Sequence, residues 1–189
     1  MEKRHNYAAA GFLLLGIGAA GRAFLGVPEG VTMAELSLTV LLVIGALLLT
    51  RQGLAALVCG LAATALELVL CGSWVQAGGA LAAAAPFLRL ADLWLLLGLV
   101  WGSLPAARRA VDDLKYTRST RMMLVVCGVL LAAHTVLRIA SLAAPASLAA
   151  PASVPLGKAS SGSFVVFSVL LLWYTVLMVK AYNIQRTKH

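Results

Sequence analysis

The sequence predicts an all-α, polytopic membrane protein. Six transmembrane helices are expected, arranged as three helical hairpins with both termini in the cytoplasm. Three observations predict this. Of the 189 residues, 61% are hydrophobic and only 12% are charged, about half the charged share of an ordinary soluble domain. The apolar residues fall into six runs long enough to cross a bilayer. The surplus positive charge lies in loops and ends that six spans would place on one side.

A single small core could not bury so much apolar surface, so lipid must serve as part of the solvent. A spanning helix needs about 20 apolar residues, because a rise of about 1.5 Å per residue must cover about 30 Å. The first run covers residues 7–27 and stops at Pro28. The others are expected at 33–50, 54–74, 86–104, 122–143 and 163–182. Pro86 falls in a first turn, where a missing N–H costs little, and Pro105 falls just past an end. The whole chain, 1–189, reads as one transmembrane domain. Lys3 and Arg4 before an apolar stretch could suggest a signal peptide, but Arg22 stands where small residues should precede cleavage.

Six spans place eleven basic residues on one side, among them Arg51, Arg108, Arg109, Arg118, Arg121 and Lys180. Three acids, Glu2, Asp112 and Asp113, share that side, and the remaining four bases and four acids cancel. The whole net charge of +8 is therefore one-sided. The positive-inside rule makes that side cytoplasmic, and the cell membrane is the expected location. Nucleic acid is not needed to explain the basicity. The 108–121 loop is expected to carry a short interfacial helix against anionic headgroups. Segment 144–162 contains most of a repeated Leu-Ala-Ala-Pro-Ala-Ser and three prolines. It is expected to be an extended outer loop.

The second, neutral set of charges is the feature most able to carry function. Arg22, Glu35, Glu67, Arg89, Asp92, His134 and Arg138 fall in one layer between midplane and outer interface. A charge at the bilayer centre costs at least about 2.5–3.5 kcal/mol, so these groups should face one another or a cavity. Glu67 shares a helical face with the small residues Ala56, Gly60 and Ala63, and Arg22 shares one with Gly11 and Gly18. Such stripes let helices approach closely, which makes Arg22 and Glu67 expected partners across helices. Arg89 and Asp92, three apart, can pair along one helix, and His134 and Arg138 share another face.

The candidate ligand-binding residues are Arg22, Glu67, Arg89, Asp92, His134 and Arg138, lining a pocket for a small polar or charged solute. The alternative is a non-catalytic structural or accessory protein whose charges only fix helix register. It would assemble through Gly/Ala-rich faces with itself or with a membrane or cytoplasmic partner subunit. No catalytic residue, metal or cofactor is expected. Cys59, Cys71 and Cys127 form no CxxC, and no HExxH, GxSxG or Walker pattern occurs. Gly16, Gly18 and Gly21 mimic GxGxxG, but inside an apolar helix they read as close packing.

Overall fold

A computed structural model of the chain describes residues 2–26, 31–49, 54–72, 80–111, 114–143 and 146–187. They form six helices: α1 Glu2–Leu25, α2 Met33–Leu48, α3 Leu54–Cys71, α4 Ala80–Ala110, α5 Leu114–Ala143 and α6 Ala146–Thr187. Five of them contain stretches long and apolar enough to cross a membrane, at Tyr7–Leu25, Leu54–Cys71, Ala84–Ala110, Tyr116–Ala140 and Ser161–Thr187.

α2 is the exception to the sixfold expectation. Its 16 residues rise about 24 Å, short of a full hydrocarbon core. A capping box fixes its start. The Thr32 hydroxyl accepts from the Glu35 N–H at 3.2 Å, and the Glu35 carboxylate accepts from the Thr32 N–H at 3.0 Å. At the other end the Leu49 N–H turns back onto the Ala46 carbonyl at 3.1 Å.

Three further expectations need correction. α4 extends well beyond 86–104 and takes both Pro86 and Pro105 inside it. The 108–121 segment holds no separate interfacial helix among the described residues, because α4 continues to Ala110 and α5 begins at Leu114. Ala106, Ala107 and Ala110 are strong helix formers and are buried, so propensity and packing both extend the helix. α6 is helical from Ala146, across most of the segment expected to be extended. Its alanines favour helix there despite Pro151 and Pro155. Pro28, residues 51–53, Asp112 and Asp113 lie outside the described residues.

Each helix packs on its neighbours in sequence, and α1 closes the arrangement against α6. α4 also meets α6, where Ser103 and Tyr174 share a buried 2.6 Å hydrogen bond. Phe12, Leu15, Leu42, Leu99, Leu170 and Leu177 are almost fully buried. Large apolar residues also cover the outside. Ile44, Val58, Leu61, Val126 and Val129 are 40–63% exposed in the middle of their helices. A water-facing surface of this kind would drive association, whereas lipid solvates it.

Two close approaches set the helix spacing, one beside the charged layer and one about 15 Å along the helices from it. A Cβ on Gly18 of α1 would meet the Leu38 carbonyl oxygen of α2 at 2.9 Å, and one on Gly102 of α4 would meet the Ala56 backbone nitrogen of α3 at 2.6 Å. Only glycine lets these backbones come so near. The predicted stripe on α3 is the buried one: Ala56, Gly60, Ala63 and Glu67 all face inward.

Candidate functional site

The charged layer is assembled by α1 to α4. α1 brings Arg22, α2 brings Glu35 and Thr39, α3 brings Glu67, and α4 brings Arg89 and Asp92. All six are at most 5% exposed. The glycine seams matter here because they set α1 against α2 and α3 against α4, so long side chains can reach across.

Arg22 is the hub. One guanidinium nitrogen donates to the Thr39 hydroxyl at 2.9 Å and also to Glu67 Oε1. It lies 3.4 Å from the Glu35 backbone carbonyl. The other nitrogen reaches Asp92 Oδ2 at 3.4 Å and Glu35 Oε1 at 3.8 Å. Arg89 completes the circuit by donating to Asp92 Oδ2 and Glu35 Oε1, both at 2.7 Å. Thr39 lies 3.0 Å from Glu67 Oε1 and 3.1 Å from the Glu35 carbonyl, so its one hydroxyl proton serves either acceptor. Glu35 thus works twice: one oxygen caps α2 and the other binds Arg89.

Removing such charges from water costs several kcal/mol per ion, and the cost is offset only when geometry and hydrogen bonding are nearly complete. Here two guanidiniums face three carboxylates, so the fully ionised network carries one excess negative charge. Glu67 Oε2 and Asp92 Oδ1 are buried and accept no hydrogen bond. Their other oxygens, Glu67 Oε1 and Asp92 Oδ2, are both held by Arg22. The carboxylate oxygens that the network leaves unmatched therefore lie on α3 and α4.

Four of the six predicted site residues come together: Arg22, Glu67, Arg89 and Asp92. Both predicted pairs form, Arg22 with Glu67 and Arg89 with Asp92. His134 and Arg138 stand on α5, which contributes no hydrogen bond or ion pair to the network among the described residues. His134 is buried, and neither ring nitrogen makes a hydrogen bond. The hydrogen bond from Trp94 to Thr135, 3.3 Å, joins α4 to α5 at that level. Thr39 was not among the candidates, though its place four residues after Glu35 on one helical face was a usable signal. Among the described residues, no group of three or more His, Cys, Asp or Glu is arranged to hold a metal ion.

Together the apolar helices and the buried charges define the class: an α-helical integral membrane protein with a polar network inside its helix bundle. No protein-family model, no curated protein and no solved structure matches the chain.

Proposed function

We propose that the protein binds a small solute bearing one ammonium group at the Glu67–Asp92 edge of the network. The observation that carries this is the pair of buried carboxylate oxygens without donors, in a network of three carboxyl groups and two guanidiniums. A primary ammonium supplies both missing features, a unit charge and three N–H donors, and charge-assisted bonds of this kind are the strong ones. Arg22 and Arg89 orient the acids, and Thr39 steadies Glu67. The role is binding, with transport across the cell membrane as its natural extension, and not catalysis. In the proposed topology three hairpins place both termini in the cytoplasm, following the one-sided positive charge. The bilayer is the obligatory surrounding, and nucleic acid has no part.

The test is calorimetric titration of the protein in nanodiscs with methylammonium chloride, with sodium chloride as control. Saturable methylammonium binding that is lost in Glu67→Gln is expected. Equal heats from both salts, or no saturable binding, refutes it.

A second reading has its own support. Every ion pair of the network joins two different helices except Arg89–Asp92. Such cross-links fix helix register in a structural protein, and the glycine seams are spent on packing within the chain. On this reading Glu67→Gln changes stability alone.

A further inference from the structure

The far end of α4 and α5 carries a second polar feature that the network does not use. A groove of about 500 Å³ opens between the two helices, lined by Trp101, Leu104, Pro105, Arg108, Thr117, Arg118 and Arg121. Three of these residues are arginines and none is an acid. Among the described residues, none of the ion pairs joins an acid to any of these three arginines. The Arg121 guanidinium lies 5.8 Å from the centre of the Trp101 ring, close enough to orient it.

The position identifies what the groove takes. It lies where the apolar spans Ala84–Ala110 and Tyr116–Ala140 begin and end on the same side of the bundle. Its floor is apolar, and that surface continues toward the middle of the helices. Trp101 is 52% exposed, and Trp94 lies on the same face seven residues, about two turns, away. On α5, Met122 and Val125 are also exposed, at 64% and 57%. A free anion would find the arginines but leave this strip unused. A lipid uses both, because its phosphate sits at the interface while its chains run along the helices. Tryptophan is itself characteristic of that boundary.

We infer that this groove is a specific site for an anionic phospholipid, whose phosphate is held by Arg108, Arg118 and Arg121 and whose acyl chains lie on Trp101, Met122 and Val125. Arginine suits the task because its planar fork pairs with phosphate oxygens two at a time. The site is distinct from the network and stands whether or not the network binds a solute.

The test measures thermal stability of the detergent-solubilised protein against added phosphatidylglycerol, phosphatidylcholine or sodium phosphate at matched ionic strength. Phosphatidylglycerol should raise the melting temperature saturably, and the other two should not. The triple change Arg108→Gln, Arg118→Gln and Arg121→Gln should weaken apparent affinity by about a hundredfold, at roughly fivefold per arginine. The control Arg109→Gln with Arg186→Gln, two exposed arginines outside the groove, should keep it within a few-fold. If the triple variant does not fold, the single Arg118→Gln and Arg121→Gln changes replace it, with about fivefold expected from each. Equal stabilisation by phosphatidylcholine, by phosphate alone, or of the arginine variants overturns the inference.

Discussion

Arg22 and Glu67 touch each other, yet removing them should have very unequal consequences. In Arg22→Gln, three buried carboxylates are left facing the Arg89 guanidinium alone. Glu67 keeps only the Thr39 hydroxyl at 3.0 Å, and the remaining negative charges repel one another. Breaking a buried pair from one side typically costs about 3–5 kcal/mol. The lower figure applies, because an unfolded chain in a membrane mimic also finds polar partners. In Glu67→Gln, the shape is kept and the excess charge is removed. The amide oxygen still accepts from Arg22 and Thr39, and the new NH2 can donate to the unbonded Asp92 Oδ1. Its cost should stay within about 1 kcal/mol, and a gain is allowed. The assay is equilibrium unfolding in mixed micelles by SDS titration, followed by far-ultraviolet circular dichroism. Equal losses in the two variants, or a neutral Arg22→Gln, refute the charge count.

Other expectations follow from packing. Gly102→Ala should cost about 1–3 kcal/mol, because the added Cβ meets the Ala56 backbone at 2.6 Å, which cannot move aside as a side chain could. Gly128→Ala should be tolerated in the same unfolding assay, since its nearest neighbour would be Leu97 Cδ2 at 3.7 Å. Tyr174→Phe should cost about 1 kcal/mol for the lost bond to Ser103, which keeps its 2.8 Å bond to the Val100 carbonyl. His134→Leu should leave stability unchanged or raised and methylammonium binding intact. Loss of that binding would bring α5 back into the site.

The sequence made depth legible. A rise of about 1.5 Å per residue put Arg22, Glu67, Arg89 and Asp92 in one layer, and small-residue stripes marked the faces they lie on. It could not give the rotation of one helix against another. For that reason His134 and Arg138, expected at the same depth, stand on a helix that adds no hydrogen bond or ion pair to the network among the described residues, while Thr39 lies at its centre. The bond from Arg89 to Glu35 joins α4 to α2 and depends on the same rotation. Helix ends were less legible. Pro105 reads as a stop, yet Ala106, Ala107 and Ala110 bury themselves and carry α4 through it. The capping box of α2 could have been read from Thr32 and Glu35, but its carboxylate looked like a site charge alone.

The central claim is that Arg22, Glu35, Glu67, Arg89 and Asp92 act as one buried network in which three carboxyl groups share two guanidiniums. The measurement that tests it most directly is the unfolding free energy of the double variant Arg22→Gln with Glu67→Gln, set beside the two single variants. Within such a network, removing Glu67 relieves the charge that the loss of Arg22 strands. The double variant should therefore be more stable than Arg22→Gln alone, with a coupling of about 1 kcal/mol or more. Additive losses, to within about 0.5 kcal/mol, would contradict it.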